Sequence, residues 1–597
     1  MTTRATRSPR RRTVVALAVV LAVLAGFIVR LVDIQVVSAE EYNDQASSYS
    51  LGASRTLYGS RGSITDENGQ TLAGSVLEYD CQLDPLLITQ IDELVAEKKS
   101  KDDPWSVASG KIATITGQTA EDVQKIVADA IANDPSTQYA VLKRGLSTEQ
   151  YRDLMALGAP YTSYMSCPQR PARTYPDGAV AGNIVGFMGV DGDPLAGLEM
   201  SQNSCLASTN GSLTFEKGKY GVTIPGTEVS KPAVDGGTLQ LTINRDLQWY
   251  LQQLAAEQGQ NMGAKRVTIT VEEVKTGKIR AAAEWPTVDP NNVDASTVED
   301  RNSSIFTGTF EPGSTFKALT AATVIDAGGQ SPTSTVVASS QETFANGARV
   351  RDAFVHPAYD YTLAGVLIDS SNAGISKFSE RVNKETRFDY FQKFGIGQGS
   401  AIDFVGELRG DLRPATQWDN QTMYNTSFGQ GLTTTVPELV GAYSAIANGG
   451  TRMPLSLVES CTKADGTVVE PELPEPTQVI SPESSAQVRQ LLENVALQAN
   501  YSKQIEIPGY RLAVKTGTGE KTDGNGGYKQ GLYFTTMIGF APADDPQYVV
   551  AVTFDEPTAV RSSAANAPAF QKAMTQVLKT YRVMPSTSQA TLLPKFG

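Results

Sequence analysis

Apolar residues form one long run near the start of this chain. The run VVALAVVLAVLAGFIV spans Val14 to Val29 without a charge, and Leu31 and Val32 extend it past Arg30. As a helix, residues 13–32 rise about 30 Å, roughly the thickness of the hydrocarbon core of a bilayer. This pattern predicts a transmembrane helix over residues 13–32.

Charged residues beside that run predict its orientation. Among residues 1–12 all the charged side chains are basic: Arg4, Arg7, Arg10, Arg11 and Arg12. Basic residues mark the cytoplasmic side of a membrane span. We therefore expect a cytoplasmic tail over residues 1–12 and an extracytoplasmic location for everything after the anchor. A signal peptide cleaved at Val23–Ala25 is the alternative, but the apolar run continues past that site, which favours a retained single-pass anchor in the cell membrane.

Mixed patterns with many turn residues follow over residues 33–235. Within them, Trp105–Asn133 contains a helical pattern that Thr119 caps, with Asp122 three residues later as in a capping box. The turn sequence Val-Asp-Gly at residues 234–236 precedes an alternating strand and then a helix, in TLQLTINRDLQWYLQQLAAEQ. We place a domain boundary at this turn.

The second half of the chain shows strands, then helices, then strands again. RVTITVEEVKTGKIRAAAEW predicts a hairpin with a Lys-Thr-Gly turn. Helical patterns fill Ser314 to about Ala447, and YFTTMIGFAPA and QYVVAVTFDEP predict antiparallel strands. Helices grouped between the two halves of one sheet indicate an α+β domain, which we place over residues 236–585. Residues 586–597, which end in TSQATLLPKFG, are expected to form a loose tail.

Composition narrows the classes of function. The 597 residues are 40% hydrophobic and 19% charged, as in globular proteins. The net charge of −13 suggests no basic face for nucleic acid. The chain has one histidine, His356, which excludes multi-histidine metal sites, so neither a metal nor a cofactor is expected.

The cysteines permit disulfides. They are Cys81, Cys167, Cys205 and Cys461. Their spacing matches no zinc pattern, and an even number can pair in an oxidising compartment. Cys167 and Cys205 lie in one segment and form one candidate pair, although the sequence leaves the pairing open.

Ser314 and Lys317 stand at the start of a helical pattern, FEPGSTFKALTAATVIDAGG. Residues three apart on a helix share a face. A serine hydroxyl becomes a nucleophile when a base removes its proton, and a lysine amine serves as that base when burial lowers its pKa. The alternative is simpler: the serine caps the helix and the lysine lies on its surface.

Short motifs of this kind also arise by chance. Ser460 and Lys463 repeat the Ser-x-x-Lys spacing, but they lead into a turn and a proline-rich stretch. Ser201–Asn203 and Ser208–Asn210 match Ser-x-Asn, and Lys275–Gly277 matches Lys-Thr-Gly in a predicted hairpin turn. Order and context are therefore needed to choose among the copies.

Three motifs do occur in a meaningful order and context. A Ser-x-x-Lys at a helix start precedes a Ser-x-Asn in a helical region and a Lys-Thr-Gly-Thr on a strand-like stretch. Their residues are Ser314, Lys317, Ser370, Asn372, Lys515, Thr516, Gly517 and Thr518. This series is the signature of the acyl-serine enzymes that recognise penicillin.

The chemistry of the first two motifs suggests their roles. Ser314 is expected to attack a carbonyl and form an acyl-enzyme, with Lys317 as the base. Ser370 would relay a proton toward the leaving amine. Asn372 would hold the substrate amide and orient Lys317.

The third motif suits the binding of an anion. Lys515, with the hydroxyls of Thr516 and Thr518, would bind a substrate carboxylate, and Gly517 would let the strand lie close to the ligand. Backbone N–H groups, those of Ser314 and Thr518, would stabilise the oxyanion.

The chain resembles a class B penicillin-binding protein well beyond these motifs. In the first part of the chain the similar segments are RLVDIQVVSAEEY, RGSITDENGQTLA, RTYPDGAVAGNIVGFMG and AGLEMSQNSCL. RNSSIFTGTFEPGSTFK, TSFGQGLTTTVPELVGAYSAIANGG and MIGFAPADDPQYVV resemble segments of the transpeptidase domain. The resemblance covers most of residues 30–560.

The resemblance implies a fold and an activity. The fold is a penicillin-binding, serine β-lactamase-like transpeptidase domain, an antiparallel sheet with helices on its faces, carried on an elongated mixed α/β pedestal. The activity is that of a monofunctional D,D-transpeptidase, without a cofactor, that cross-links peptidoglycan outside the membrane. Its donor stem peptide ends in D-Ala-D-Ala, and β-lactams acylate Ser314.

Partners follow from the same resemblance. The pedestal implies a membrane partner of the polymerising SEDS glycosyltransferase family, together with division proteins. The SFGQGL segment and the GLE pedestal motif look closer to the division, or septal, branch of actinobacterial sequences. A role in cell elongation is the alternative.

The chain departs from the family pattern at a few positions. Asn244 stands where the family usually has Asp, and Val514 stands where Gly often precedes the lysine. Gly519 replaces a common Ala, and Gln430 replaces an aromatic residue of other branches. The Asn244 change is expected to affect only a strand-to-helix junction, whereas Val514 lies nearer the pocket and its effect on β-lactam affinity is open.

Two other classes of function use related sequences. A β-lactamase or D,D-carboxypeptidase would share the three motifs but needs an activated water for deacylation, and no extra carboxylate motif is evident. A β-lactam sensor would add a larger cytoplasmic part. A non-catalytic division scaffold would tolerate loss of motif residues, all of which are present.

Other polar residues are given supporting roles. We expect His356, Asp352 and Asp369 to be structural, and Glu311 to cap or orient the nucleophile helix. A further set is expected to hold the pedestal motifs together: Arg61, Asp66, Arg173 and Glu199.

Overall fold

The computed structural model describes residues 9–32, 52–216, 224–522 and 527–597. Most of the basic tail and most of the RLVDIQVVSAEEY segment lie outside these residues.

The longest described element in the first part of the chain is its first helix, of 24 residues. In the described residues up to 234, the helices are α1 (Pro9–Val32), α2 (Pro85–Ala96), α3 (Trp105–Thr116), α4 (Ala120–Asn133), α5 (Thr148–Ala156), α6 (Gly182–Val185), α7 (Gly197–Ser201) and α8 (Asn203–Leu206). The strands are β1 (Gly52–Leu57), β2 (Ile64–Thr65), β3 (Thr71–Leu83), β4 (Ala140–Leu146), β5 (Met165–Ser166), β6 (Gln169–Thr174), β7 (Gly211–Glu216) and β8 (Val229–Lys231).

The remaining helices and strands follow residue 235. The helices are α9 (Arg245–Met262), α10 (Ser304–Thr307), α11 (Lys317–Asp326), α12 (Leu363–Ile368), α13 (Asn372–Ser379), α14 (Lys384–Lys393), α15 (Thr422–Asn425), α16 (Val436–Ala447), α17 (Pro482–Gln498), α18 (Ser502–Ile505) and α19 (Ala567–Thr580). The strands are β9 (Thr238–Leu241), β10 (Arg266–Glu273), β11 (Lys278–Trp285), β12 (Thr335–Ala338), β13 (Gln341–Thr343), β14 (Arg349–Arg351), β15 (Tyr359–Thr362), β16 (Thr451–Arg452), β17 (Val458–Thr462), β18 (Val468–Val469), β19 (Thr477–Gln478), β20 (Ala513–Thr522), β21 (Tyr528–Ala541) and β22 (Tyr548–Asp555).

One compact unit combines residues 1–59 with residues 208–234. Its helix α1 contains Thr13–Val32, which is long and apolar enough to cross a membrane and has a mean hydropathy of 2.8. The helix predicted for this stretch is therefore present. Strands β1, β7 and β8 of the same unit form an antiparallel sheet with β7 in the middle.

The other compact unit combines residues 60–207 with residues 235–597. Its central sheet has the strand order β11-β10-β22-β21-β20, and all neighbouring strands are antiparallel. Helices α9, α16, α17 and α19 pack against it. This arrangement confirms the predicted α+β fold class and leaves β20 at the edge of the sheet.

A second sheet in this unit draws strands from distant parts of the chain. Its order is β18-β17-β9-β2-β3-β4, and β5 and β6 also pair with β3. Strand β2 pairs in parallel with β9, so residues on both sides of the Val-Asp-Gly turn share this sheet. A smaller core lies around β3 and the helices α2 to α5.

Several local predictions are confirmed. Thr119 and Asp122 form the capping box that begins α4. Asn244 caps α9 by accepting the Leu247 N–H at 2.9 Å, which places it at the expected strand-to-helix junction. The chance Ser-x-x-Lys begins with Ser460 inside β17, not at a helix start, and the chance Lys-Thr-Gly lies in the turn between β10 and β11.

The disulfide pairing differs from the candidate pair. Cys81 bonds to Cys167, and Cys205 bonds to Cys461, so the pairing of Cys167 with Cys205 is wrong. Strand pairing explains the difference. Cys81 lies on β3, beside the β5–β6 segment that contains Cys167, whereas Cys461 on β17 pairs with β9, next to the Cys205 carbonyl.

The loose tail expected over residues 586–597 is also wrong. The Thr362 N–H donates to the Lys595 carbonyl at 3.0 Å, and the Leu593 N–H donates to Asn494 Oδ1 at 2.8 Å. Residues 593–597 therefore dock along the open edge of β15, where unpaired backbone groups provide partners that the sequence alone does not reveal.

Candidate active site

The predicted nucleophile, Ser314, lies on a tight turn that opens into helix α11. Residues Gly313–Phe316 form a 3₁₀ turn, and the α-helix begins at Lys317. Gly313 has φ +54°, a conformation that glycine adopts without strain. Ser314 is partly exposed, whereas Lys317 is completely buried. The surface alternative for this lysine is therefore wrong.

Strand β20 lies directly against this turn. A Cβ atom on Gly517 would lie 2.5 Å from the Pro312 carbonyl oxygen, and one on Gly519 would lie 2.2 Å from the Glu311 carbonyl oxygen. A Cβ on Gly313 would lie 2.7 Å from the Thr518 carbonyl oxygen. Glycines on both sides thus allow the strand and the nucleophile turn to meet backbone to backbone.

Ser370, the serine of the Ser-x-Asn motif, contacts the lysines of the other two motifs. Lys317 Nζ donates to the Ser370 carbonyl oxygen and, at 3.2 Å, to Ser370 Oγ. Lys515 Nζ donates to the same Oγ at 3.0 Å. Ser370 has φ +58°, which is uncommon for a residue other than glycine. The structure therefore brings Lys317, Ser370 and Lys515 together at one hydroxyl.

Burial changes the charge of both lysines. It lowers the pKa of Lys317 well below its ordinary value, and the neighbouring Lys515 lowers it further, while Asp352 acts in the opposite direction. Burial also lowers the pKa of Lys515 to about 7. An ammonium group in such a site loses hydration without a full counter-charge, so the neutral amine is favoured.

Comparisons with known proteins agree with this geometry. The penicillin binding protein transpeptidase domain family matches residues 267–575, and the penicillin-binding protein dimerisation domain family matches residues 56–193. Penicillin-binding protein PbpB of Mycolicibacterium smegmatis is 34% identical, over 96% of this chain and 92% of that protein. The chain belongs to the class B penicillin-binding proteins.

Two further relatives place this class B penicillin-binding protein among enzymes. Peptidoglycan D,D-transpeptidase FtsI of Escherichia coli is 28% identical, over 95% of this chain and 91% of that protein. The crystal structure of penicillin binding protein 3 from Mycobacterium tuberculosis, complexed with aztreonam, has a TM-score of 0.69 and 27% identity. That match covers 90% of this chain and 100% of the other. The family is thus one of peptidoglycan D,D-transpeptidases.

The remaining predicted site residues lie around this centre. Asn372 is the first residue of α13, and its Nδ2 donates to the Arg351 carbonyl at 3.0 Å. In this structure it is Ser370 that contacts the Lys317 amine. Thr518 is partly exposed on β20, whereas Thr516 is buried.

Sequence reasoning missed a loop and a following helix, both of which contact the turn that carries Ser314. The Gly313 N–H donates to the Gly429 carbonyl at 3.0 Å, and Thr320 Oγ1 donates to the Ser427 carbonyl at 2.8 Å. Tyr443 OH donates to the Thr315 carbonyl at 2.7 Å. The SFGQGL segment signalled this support only through its resemblance to the family.

Glu311 does not cap a helix; its side chain contacts two distant segments, at Gly431 and Tyr528. Its Oε1 accepts the Gly431 N–H at 2.9 Å, and the Tyr528 hydroxyl lies 3.1 and 3.2 Å from its two oxygens. Burial raises the pKa of Glu311 above its ordinary value. Beside it, Gln430 Nε2 donates to Glu520 at 3.1 Å, so the residue that replaces a family aromatic forms a polar contact with β20.

The single histidine supports the Ser-x-Asn loop. His356 Nε2 lies 2.8 Å from Asp352, and its Nδ1 lies 2.7 Å from the Pro357 carbonyl. Each ring nitrogen thus lies within hydrogen-bond distance of an oxygen atom. Asp352 also accepts the Ser371 hydroxyl at 2.7 Å and the Ala373 N–H at 2.9 Å. The predicted structural role of His356 and Asp352 agrees with these contacts.

The predicted contacts among the pedestal motif residues are present. Arg61 Nε donates to one oxygen of Glu199 at 2.7 Å, and Arg173 Nε donates to the other at 2.6 Å. Glu199 is completely buried. Asp66 accepts the N–H groups of Asn68 and of the distant Arg245. These contacts tie segments of the dimerisation-domain match to residues that follow it in the chain, Glu199 and Arg245.

Proposed function

We propose that Ser314 is the nucleophile of this D,D-transpeptidase and forms an acyl-enzyme with a stem peptide that ends in D-Ala-D-Ala. The observation that supports the assignment best is the meeting of Lys317 and Lys515 at Ser370 Oγ, beside the turn that carries Ser314. Such a constellation pairs a nucleophile with a neutral base and a proton relay.

Acylation uses the first two motifs. Lys317 accepts the Ser314 proton as Ser314 Oγ forms a bond to the carbonyl carbon of the penultimate D-Ala. The bond from that carbon to the terminal D-Ala nitrogen breaks, and a proton passes through Ser370 Oγ to the leaving amine. The backbone N–H groups of Ser314 and Thr518 hold the oxyanion.

The third motif recognises the end of the donor. Lys515 and the hydroxyls of Thr516 and Thr518 bind the terminal carboxylate. A bound anion favours the charged form of Lys515, so substrate binding opposes the effect of burial, which favours the neutral form. An amine of a second stem peptide then attacks the acyl-enzyme and forms the cross-link.

A β-lactam acylates the same serine and stays bound. Its carboxylate occupies the Lys515 side of the site, and its opened ring does not leave as D-Ala does. Rapid hydrolysis of such an adduct requires a base for water. Glu311, the carboxylate nearest to Ser314 in the sequence, is held by Gly431 and Tyr528. This arrangement favours a transpeptidase over a β-lactamase.

The cellular setting follows from the anchor and the family. We place residues 1–12 in the cytoplasm, α1 across the membrane and the catalytic domain outside it, because arginines precede the apolar run. The partners we propose are a SEDS-family glycosyltransferase and division proteins, and the role is septal cell-wall synthesis. Depletion should give long cells without septa; cells that lose their rod shape would indicate the elongation role instead.

A donor analogue tests the reaction. A thioester analogue of the D-Ala-D-Ala terminus, supplied with a D-amino acid as acceptor, should give the aminolysis product with the full-length chain in detergent. Ser314→Ala should give none, and Ser460→Ala, which alters the chance motif, should match the wild type. Hydrolysis without any aminolysis would identify a carboxypeptidase instead.

A further inference from the structure

The segment over residues 591–597 lies along β15, beside the Ser-x-Asn region, and forms an isolated antiparallel bridge between Phe596 and Tyr361. The Thr362 N–H donates to the Lys595 carbonyl at 3.0 Å, and the Gly597 N–H donates to the Asp360 carbonyl at 2.9 Å. Thr362 Oγ1 also donates to the Pro594 carbonyl at 2.6 Å. Paired backbone groups of this kind give the segment a defined register along β15.

Side chains hold the rest of the segment against α17. Asn494 donates to the Thr591 carbonyl at 3.0 Å and accepts the Leu593 N–H at 2.8 Å. Phe596 packs against Tyr359 and Tyr361, with ring centroids 4.9 and 5.3 Å apart. The segment is therefore fixed by main-chain, polar and aromatic contacts together.

A glycine in helix α12 allows this segment to lie close to the helix backbone. A Cβ atom on Gly365 would lie 1.9 Å from the Lys595 carbonyl oxygen, so glycine is needed for the close approach. Asp369 is the C-cap of the same helix and immediately precedes Ser370. The docked segment thus reaches the start of the Ser-x-Asn motif.

An ion pair connects the segment to that motif. Lys595 Nζ donates to Asp369 Oδ1 at 2.6 Å, and the Tyr361 hydroxyl contacts Asp369 Oδ2 at 3.3 Å. The next residue, Ser370, has φ +58° and binds both lysines of the site. A residue other than glycine keeps such a conformation only when its surroundings enforce it.

We infer that Lys595 is a positioning residue for the reaction: through Asp369 it fixes the backbone of Ser370, so that Ser370 Oγ meets Lys317 and Lys515. This inference rests on the proposed function of Ser370 as the proton relay. The ion pair is partly exposed, with side-chain exposures of 30% for Lys595 and 21% for Asp369. Such pairs contribute little to overall stability, so the effect of losing this one falls on local geometry.

The test uses the full-length chain in detergent with benzylpenicillin as the probe. Lys595→Met keeps most of the side-chain length and removes the charge, Lys595→Arg keeps the charge, and Lys579→Met alters an exposed lysine of α19 as the matched control. For each we would measure the acylation rate at saturating drug, the dissociation constant of the drug, the melting temperature and the hydrogen exchange of residues 366–372. That peptide contains the Ser371 N–H, which donates to the Val366 carbonyl at 2.9 Å.

Lys595→Met should slow acylation at saturating drug by roughly 10-fold to 100-fold, as expected for a small misplacement of a reacting group. Its dissociation constant and melting temperature should stay close to those of Lys579→Met, and exchange should rise in residues 366–372. Lys595→Arg should restore most of the rate. Asp369→Asn should act in the same direction, and the double variant should be no worse than either single one.

A normal rate and normal exchange in both Lys595→Met and Asp369→Asn would overturn the inference. So would a slower rate accompanied by increased exchange throughout the chain and a lower melting temperature, because that pattern indicates a structural role only. If the wild type itself forms no adduct, the proposed function of Ser314 fails, and the exchange of residues 366–372 still decides whether Lys595 fixes the loop.

Discussion

Lys317 and Lys515 both donate to Ser370 Oγ, at 3.2 and 3.0 Å. Two amines at one hydroxyl cannot both be charged without strong repulsion in a buried site. In the mechanism we propose, the two lysines therefore have separate roles: Lys317 is the neutral base, and Lys515 is held in its charged form by a bound carboxylate.

Ser370→Ala removes the hydroxyl on which the two lysines converge. Acylation by benzylpenicillin should slow by about 10²-fold to 10⁴-fold, the usual contribution of a positioned acid–base group. The rate of mass increase measured with the full-length chain checks this. Ser460→Ala should acylate at the wild-type rate, and an equally fast Ser370→Ala would remove Ser370 from the mechanism.

Binding of an anionic β-lactam should depend on pH through Lys515. Burial lowers the pKa of this lysine to about 7, so it is charged below that pH and neutral above it. A carboxylate binds the charged form, and the dissociation constant of benzylpenicillin should therefore increase above pH 7, by up to about tenfold per pH unit. An ester of the same drug, which lacks the carboxylate charge, is the control. A parallel increase for the ester would argue against this role of Lys515.

Gly517→Ala should disturb the contact between β20 and the nucleophile turn. The new Cβ would lie 2.5 Å from the Pro312 carbonyl oxygen, so the strand must move away. Acylation should slow by roughly 100-fold, because an error of about 1 Å at the site has that effect. Gly110→Ala is the control, since a Cβ there has no atom within 4 Å. Equal rates in the two variants would mean that the close contact is not needed.

Glu272 lies outside the active site and should make the free energy of unfolding depend on pH. It is completely buried in β10, and burial raises its pKa well above the ordinary value. The folded state holds this proton at a pH where the unfolded chain releases it. The stability that neutral Glu272 contributes is therefore fully present at low pH. It is lost as the pH rises toward the pKa of Glu272 in the folded state.

Glu272→Gln stays neutral at every pH and removes this loss. Its melting temperature relative to the wild type should therefore increase between pH 5 and pH 8. Glu472→Gln, at an exposed position, should show no such trend. A constant difference for Glu272→Gln across this range would show that Glu272 does not titrate as described.

Features that depend on neighbouring residues, or on the order of motifs along the chain, were predictable from the sequence. The spacing of Ser314 and Lys317 places both at a helix start, and the cap at Thr119 needs only neighbouring residues. The order of the three motifs separated the copy at Ser314 from the copy at Ser460, which lies in a strand.

Features that depend on distant segments were not predictable. The disulfide of Cys205 with Cys461 follows from the pairing of β9 with β17, more than 200 residues apart in sequence number. The docking of Lys595 against Asp369 likewise needs the folded position of β15. Backbone conformation at Ser370 has no signature in side-chain type, because positive φ at a serine is set by its surroundings.

Mass spectrometry of the full-length chain after exposure to benzylpenicillin tests the central claim most directly. The wild type and Ser460→Ala should each gain one adduct that persists for hours and maps to the peptide containing Ser314, and Ser314→Ala should gain none. An adduct that remains in Ser314→Ala, or one that clears from the wild type within seconds, would contradict the account; the first would place the nucleophile elsewhere, and the second would identify a β-lactamase.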